Sequence, residues 1–224
     1  MPLARAKQLW RTARAVCFDV DSTVVTEEGI DVLAHECGAG PAVAEWTRKA
    51  MGGSVPFHVA LEARLNLFKP SRKDVDDVLR KHPLQLTPGM PELMKKLQDN
   101  GKHVYLVSGG FRQMIHPIAR VLNIPIERVY ANNLLFDEKT GEYRGFDVNE
   151  PTSRAGGKGV VVGNLKKQFG YDPIIMVGDG ATDLEARPPA SAFVGFGGVV
   201  VREAVKKGSD WYAMDVKEMI DELD

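Results

Sequence analysis

Short apolar runs that end in small or acidic residues recur along the chain. The clearest runs cover residues 15–20, 103–107, 173–177 and 192–196, and each is five or six residues long and rich in apolar side chains. Runs this short are typical of strands, and helical patterns lie between them. Strands that are apolar throughout and alternate with helices predict an α/β fold, with a parallel sheet covered by helices on both faces.

Residues 26–86 break this alternation, because they carry several helix signals and no convincing strand. Pro41 opens one helical pattern, and Ser71 begins a capping box before another. We therefore expect two domains. A core made of residues 1–25 and 87–224 would hold the sheet, and a small helical cap at 26–86 would be inserted after the first strand.

Local patterns add detail to the predicted core. Residues 134–148 predict a β-hairpin, because two strand-like runs flank a turn at 139–141. A helix is expected over residues 91–98, with Thr87 as its N-cap.

The N-terminal segment 1–14 is basic and carries no acidic residue. This pattern favours an amphipathic helix that packs Leu3, Leu9 and Trp10 on the body of the protein. The remnant of an organelle-targeting stretch is the alternative. No secretory signal pattern is visible, so we expect a cytoplasmic protein.

Composition and charge exclude several classes of protein. The chain has 224 residues, of which 44% are hydrophobic and 26% charged, and its formal net charge is −1. This near-neutral balance argues against a nucleic-acid-binding protein. No apolar run approaches the roughly 20 residues that a membrane helix needs. The two cysteines, Cys17 and Cys37, exclude a disulfide framework and a cysteine-based zinc site.

Polar residues follow three of the predicted strands. They are Asp19 and Asp21 after the first strand, Ser108 and Gly109 after the second, and Asp179 and Asp183 after the third, with Lys158 between the last two groups. Ligands of open parallel sheets bind at the carboxyl ends of the strands. We therefore expect these side chains to converge at one edge of the sheet.

Clustered carboxylates repel one another unless a cation lies among them. Oxygen ligands of this kind suit Mg²⁺, and Lys158 and Ser108 suit a phosphate group. The cluster therefore favours phosphoryl transfer to a carboxylate. Asp19 is the expected nucleophile. Asp21 lies two residues on and points the same way in an extended backbone, so it is the expected general acid and base.

These motifs occur in the order that is typical of the haloacid dehalogenase-like phosphatases. They are Asp19-Val20-Asp21-Ser22-Thr23, Ser108, Lys158 and Gly178-Asp179-Gly180-Ala181-Thr182-Asp183. Further motifs at 27–31, 50–57, 108–111 and 156–158 resemble the phosphoserine phosphatase family, and the stretch 40–70 resembles its plant-type members most closely. The similarity runs from about residue 13 to the C-terminus.

The resemblance implies a Rossmann-like core with an inserted helical cap. The implied reaction is the Mg²⁺-dependent hydrolysis of O-phospho-L-serine to L-serine and phosphate through an aspartyl-phosphate, which is the last step of phosphorylated serine biosynthesis. The implied partner is this small substrate, with no nucleic acid and no membrane, and the chain would be a monomer or a homodimer. The plant-type likeness makes the plastid stroma, after removal of a transit peptide, the alternative to the cytoplasm.

The resemblance also assigns site residues. Mg²⁺ would be held by Asp19, by Asp179 and by the backbone carbonyl of Asp21, with Asp183 in support. Phosphate would be held by Ser108, Gly109 and Lys158. The remaining substrate contacts would be Glu28, Met51, Gly52, Arg64, Thr182 and Arg202. Among these, Glu28 suits the ammonium group of phosphoserine and Arg64 suits its carboxylate.

Other functions remain open at this point. The same chemistry would serve another small phosphomonoester, or phosphoryl transfer between alcohols. A phospho-accepting receiver module also places aspartates and a lysine at strand ends, but it would not explain Asp21 or the helical insert. A calcium-binding EF-hand loop from Asp19 is excluded, because Val24 and Ile30 occupy the positions that require Gly and Glu.

Overall fold

The computed structural model describes residues 1–51 and 55–224, with the backbone alone at 49–51. In these residues, six parallel strands form one sheet in the order β3-β2-β1-β6-β7-β8, and two antiparallel strands form a hairpin. The strands are β1 (Ala15–Phe18), β2 (His103–Phe111), β3 (Val129–Asn132), β4 (Leu134–Phe136), β5 (Tyr143–Phe146), β6 (Ile174–Gly178), β7 (Ala192–Phe196) and β8 (Trp211–Ala213). The predicted α/β fold with a parallel sheet is confirmed.

Helices connect these strands and cover the sheet. They are α1 (Leu3–Thr12), α2 (Gly29–Glu36), α3 (Gly40–Met51), α4 (Phe57–Phe68), α5 (Arg72–Lys81), α6 (Met90–Asp99), α7 (Arg112–Val121), α8 (Gly157–Phe169), α9 (Ala181–Leu184), α10 (Glu203–Gly208) and α11 (Val216–Asp221). Among the described residues, every helix is too short or too polar to cross a lipid bilayer.

The central strand β1 shows why the sheet is covered on both faces. All four of its side chains are buried. Val16 and Phe18 belong to one apolar cluster, and Ala15 and Cys17 belong to the cluster on the opposite face. Because side chains alternate across a strand, a run that is apolar at every position requires a layer of helices on each side.

Residues 26–86 contain helices α2 to α5, and their apolar side chains form a third cluster with the hairpin. Leu33, Leu61 and Leu65 lie in this cluster together with Leu134 of β4. The capping box at Ser71 is present, since the Ser71 and Asp74 side chains each bond the other residue's backbone N–H. Helix α5 also contacts the hairpin turn, where the Arg72 N–H donates to the Gly141 carbonyl at 2.8 Å.

Two local predictions are wrong. Helix α6 begins at Met90, with Gly89 as its N-cap at a φ of 81°, so Thr87 does not cap it. The buried Thr87 hydroxyl instead donates to the Thr23 carbonyl at 2.7 Å. The predicted amphipathic helix is present as α1, and Leu9 and Trp10 pack on the core, but the predicted packing of Leu3 is wrong because Leu3 remains 52% exposed. Helix α1 packs through Trp10, whose indole N–H donates to the Met219 carbonyl.

Candidate active site

The chain leaves β1 through a tight turn that presents two carboxylates. The N–H of Asp19 donates to the Val177 carbonyl at 2.9 Å, which continues the ladder between β1 and β6 by one residue. A turn then runs from Val20 to Val24 and is closed by the Val25 N–H, which donates to the Val20 carbonyl at 3.0 Å. Ser22 within this turn has a φ of 53°. This turn leads the chain back, so that Asp21 accepts a hydrogen bond from the Gly29 N–H at 2.8 Å. The two carboxylates therefore lie at the carboxyl edge of the sheet.

Lys158 joins two carboxylates at this edge. It lies in the first turn of α8, and its Nζ is 2.8 Å from Asp19 Oδ1 and 2.6 Å from Asp183 Oδ1. All three side chains are buried. Burial by itself would lower the pKa of the Lys158 ammonium, but Asp183 and Asp19 raise it above its ordinary value. The lysine therefore stays charged between the two carboxylates.

Asp179 follows β6, and its carboxylate lies close to that of Asp19. Its carboxylate accepts from the Thr23 hydroxyl at 3.1 Å and from Arg202 Nε at 2.9 Å. Burial, followed by the charge of Asp19, raises the pKa of Asp179 to about 6. The nearby Asp183 also has a raised pKa, first because it is buried and then because Asp19 is close. The cluster therefore holds more negative charge than its own cations balance.

The donor set fits a hard divalent cation. Asp19, Asp179 and Asp183 are buried, and each offers a carboxylate oxygen within 4.8 Å of those of the other two. Carboxylate oxygens are the ligands that Mg²⁺ prefers. A bound cation would also relieve the repulsion that raises two of the pKa values.

Ser108 and Gly109 lie within β2, which extends to Phe111 before α7 begins. Ser108 is fully buried. A Cβ placed on Gly110 would lie 2.9 Å from Asp21 Oδ2 and 3.2 Å from Ser108 Oγ. The missing side chain at Gly110 thus lets the Ser108 hydroxyl and the Asp21 carboxylate border the same space.

Asp21 has the electrostatic properties of a proton donor. Its pKa lies well above its usual range, because the carboxyl group is enclosed and because Glu28 and Asp19 are negative neighbours. A raised pKa keeps the carboxyl group protonated to a higher pH, which is what a general acid requires.

Two charged groups from residues 26–86 face this edge, and neutral hydroxyls hold both. Ser22 Oγ donates to Glu28 Oε1 at 2.7 Å. Arg64 Nη1 donates to Thr47 Oγ1 at 3.3 Å, and Arg64 Nε donates to the Ala60 carbonyl at 3.1 Å. Burial raises the pKa of Glu28 and lowers that of Arg64, although Asp31, Glu28 and Asp21 act on Arg64 in the opposite direction.

Of the remaining predicted substrate contacts, the structure describes two with their side chains, and it does not describe the other two in this way. Thr182 lies in α9, and Arg202 directly precedes α10 and pairs with Asp179. Gly52 lies outside the described residues, and so does the side chain of Met51.

Sequence reasoning missed several residues that support the site. Thr23 bonds Asp179, Ser22 bonds Glu28, and Thr47 bonds Arg64. Phe57 packs against Gly109, since a Cβ on Gly109 would be 2.7 Å from Phe57 Cζ. Of these residues, only Thr23 had a recognisable sequence signal, because it is the final residue of the Asp-x-Asp-x-Thr motif.

The chain is similar to known proteins over its whole length. The model of the haloacid dehalogenase-like hydrolase family matches residues 13–188. The chloroplastic phosphoserine phosphatase of Arabidopsis thaliana is 56% identical over 226 residues, which cover 100% of this chain and 76% of that protein.

Solved structures share the fold and add to the sequence similarity. The structure of DsGPDH of Dunaliella salina matches with a TM-score of 0.86 and a sequence identity of 34%. The match covers 100% of this chain but only 38% of the DsGPDH chain. A substrate-bound phosphoserine phosphatase complex gives a TM-score of 0.83 at 26% identity, over 95% of this chain and 99% of that chain. The chain therefore belongs to the haloacid dehalogenase-like hydrolases and, within them, to the phosphoserine phosphatases.

Proposed function

We propose that this chain hydrolyses O-phospho-L-serine to L-serine and phosphate through a phosphorylated Asp19. The observation that carries the proposal is the buried cluster in which Lys158 bridges Asp19 and Asp183 beside Asp179, with Glu28 and Arg64 facing it. Such a cluster suits a dianionic phosphate ester, and the two facing charges suit a zwitterionic amino acid. The likeness to phosphoserine phosphatases supports the same reaction.

In the first half-reaction, a carboxylate oxygen of Asp19 attacks phosphorus. A bond forms between Asp19 and phosphorus while the bond from phosphorus to the serine oxygen breaks. Protonated Asp21 gives its proton to that oxygen, so serine leaves as an alcohol. Lys158 lies 2.8 Å from Asp19 and orients the nucleophile.

In the second half-reaction, water attacks the phosphorus of phosphorylated Asp19. Asp21 is now ionised and takes the proton of that water, which returns it to its starting state. The bond between Asp19 and phosphorus breaks, and phosphate is released. Ser108, Gly109 and Lys158 hold the phosphoryl oxygens in both steps.

The expected metal is Mg²⁺, held by Asp19, Asp179 and the backbone carbonyl of Asp21, with Asp183 in support. When bound, it would offset the negative charge of the phosphoryl oxygens. The buried carboxylates of Asp19, Asp179 and Asp183 lie close together, and the pKa values of Asp179 and Asp183 are raised, which supports this assignment.

We assign amino-acid recognition to a cap made of residues 26–86, above a core of 1–25 and 87–224. Glu28 would bind the ammonium group of the substrate, and Arg64 would bind its carboxylate. Met51, Gly52, Thr182 and Arg202 are proposed as further contacts. The shared apolar cluster of α2 to α5 supports treating the cap as one unit.

Phosphate release from a panel of esters tests the proposal. With Mg²⁺, phosphoserine should be hydrolysed faster than phosphothreonine or a sugar phosphate. Chelation by EDTA should abolish release, and added Mg²⁺ should restore it. A sugar phosphate that is hydrolysed faster than phosphoserine would favour the second candidate, a phosphatase for another small phosphomonoester.

The assembly and the compartment are also proposals. We propose a monomer or a homodimer, which sedimentation of the purified chain would distinguish. We propose the cytoplasm as the compartment, with the plastid stroma as the alternative that the likeness to a chloroplastic enzyme supports. Cell fractionation with an antibody against the chain would decide between them.

A further inference from the structure

A buried amide and a buried hydroxyl are linked by hydrogen bonds to the backbone of Gly109. Asn132 ends β3 and is fully buried, and its Nδ2 donates to the Gly109 carbonyl at 2.7 Å. Thr152 is 3% exposed, and its hydroxyl donates to Asn132 Oδ1 at 2.9 Å. Only the amide nitrogen is able to donate to a carbonyl, so these two contacts fix the orientation of the Asn132 side chain.

The hydrogen bonds continue through one peptide group to Ser108. The Gly109 carbonyl and the Gly110 N–H belong to the same planar peptide unit, so fixing one direction fixes the other. The Gly110 N–H donates to Ser108 Oγ at 2.9 Å. A single chain of donors and acceptors therefore runs from Thr152 through Asn132 and this peptide to the Ser108 oxygen.

This series of hydrogen bonds occupies one acceptor position of the Ser108 hydroxyl. A hydroxyl has one hydrogen to donate and two lone pairs to accept. Because the Gly110 N–H occupies one lone pair, the hydroxyl hydrogen is directed away from that N–H. The Cβ position of Gly110 lies 3.2 Å from Ser108 Oγ and 2.9 Å from Asp21 Oδ2, so the hydroxyl borders the space beside the reacting groups.

We propose that Asn132 and Thr152 are positioning residues, which hold the Ser108 hydroxyl as a hydrogen-bond donor to the phosphoryl group. The inference rests on the proposed function, because it assumes that a phosphoryl group lies beside Ser108. Neutral groups suit this task, since another carboxylate would add to the repulsion among Asp19, Asp179 and Asp183. The side chains of Thr152, Asn132 and Ser108 are buried, so removing one of them leaves its partner unsatisfied and free to turn.

A double-mutant cycle between Thr152 and Ser108 separates positioning from a general structural role. Thr152→Val removes the hydroxyl and keeps the shape, and it should lower kcat/KM for phosphoserine by about five- to tenfold. Thr152→Ser keeps the donor and should stay within about twofold of wild type. In a Ser108→Ala background, Thr152→Val and Thr152→Ser should differ by less than about twofold, because the hydroxyl that they orient is gone.

Two controls distinguish a loss of positioning from a loss of folding. Thr12→Val makes the same change at an exposed threonine whose hydroxyl donates to the Gln8 carbonyl, and it should leave kcat/KM unchanged. Thermal unfolding of each variant shows whether it is folded. If Thr152→Val does not fold, Thr152→Ala removes the same hydroxyl without adding a methyl group and replaces it in the cycle.

Binding of inorganic phosphate in the presence of Mg²⁺, measured by calorimetry across the same variants, separates the two proposals. If wild type does not hydrolyse phosphoserine but Thr152→Val weakens phosphate binding only when Ser108 is present, the proposed function fails and the positioning role stands. An equal loss with and without Ser108, or no loss at either readout, would overturn the positioning role.

Discussion

The sheet edge and the helical segment above it hold their charged groups in different ways. At the edge, Lys158 forms direct ion pairs of 2.8 and 2.6 Å with Asp19 and Asp183. In the helical segment, Glu28 and Arg64 bond the neutral hydroxyls of Ser22 and Thr47 instead. The ion pairs of the described residues include neither of these two groups.

This difference separates two tasks within one site. Charges that are already paired in the protein are oriented before any ligand arrives, which suits chemistry that every phosphate ester shares. A hydroxyl orients a charged group without neutralising it, so the charge remains available to a ligand. The contrast therefore supports the proposal that the sheet edge carries out phosphoryl transfer and that the cap recognises the amino acid.

Removing the nucleophile should give the largest effect. Asp19→Asn replaces the attacking carboxylate with an amide of the same shape, so we expect a loss of at least about 10³ in kcat for every ester. Asp99→Asn makes the same change at an exposed helix end and should leave kcat unchanged. Measurable turnover near the wild-type rate in folded Asp19→Asn would contradict the assignment.

Removing the proton donor should give a smaller effect that depends on the leaving group. Asp21→Asn keeps the nucleophile but removes the acid, so phosphoserine hydrolysis should slow by about 10²–10⁴. An activated aryl phosphate needs no proton to leave, so formation of the phosphorylated enzyme should slow much less, as a pre-steady-state burst of phenol would show. Equal slowing of that first step for both esters would mean that Asp21 is not the acid.

Changes in the cap should act on substrates selectively. Each charge-assisted hydrogen bond is worth roughly 1.5–3 kcal/mol, so Glu28→Gln and Arg64→Ala should each lower kcat/KM for phosphoserine at least about tenfold. A phosphate ester of ethylene glycol, which lacks both charged ends, should respond little to either variant. Phosphoethanolamine keeps the ammonium alone, so it should respond to Glu28→Gln and not to Arg64→Ala.

Matched controls for these variants lie on the surface of the same segment. Glu36→Gln and Arg80→Ala remove exposed charges from α2 and α5 and should change none of the three substrates. If kcat/KM changes by the same factor for all three esters in Glu28→Gln and in Arg64→Ala, the cap does not recognise the amino acid. That result would contradict the division of tasks between the sheet edge and the cap.

The smallest expected effect comes from the hydroxyl that orients Arg64. Thr47→Val removes the hydroxyl that accepts from Arg64 Nη1 and donates to Asp31 Oδ1 at 3.1 Å, while Arg64 Nε keeps its bond to the Ala60 carbonyl. We therefore expect kcat/KM for phosphoserine to fall by about two- to fivefold. Phosphoethanolamine carries no carboxylate for Arg64 and should be unaffected. A similar loss for both substrates in steady-state kinetics would show that Thr47 supports the fold of the cap rather than the arginine.

The sequence predicts the charged half of the site well, because Asp19 and Asp179 occupy motif positions directly after strands and Lys158 occupies a motif position at the start of α8. It predicts the supporting half poorly. Asn132 and Thr152 are common residue types, and their roles depend on the Gly109 carbonyl, which lies far away in the chain. A local sequence pattern does not predict a contact between residues so far apart in the chain.

The fold shows the same division between local and tertiary information. The four strands predicted from apolar runs are present, whereas β3 and β8 were missed because Tyr130 and Asn132 interrupt one short run and β8 has three residues. The capping box at Ser71 is a local pattern and was predicted. The hydrogen bond of Thr87 was not predicted, because its hydroxyl donates to the carbonyl of Thr23, which lies in another part of the chain.

Direct detection of a phosphoryl group on Asp19 tests the central claim most closely. The wild-type protein would be quenched in acid during turnover of phosphoserine with Mg²⁺, digested, and analysed by peptide mass spectrometry. The account predicts one added phosphoryl group on the peptide that contains Asp19, absent when Asp19→Asn is treated in the same way. A phosphoryl group on any other side chain would contradict it.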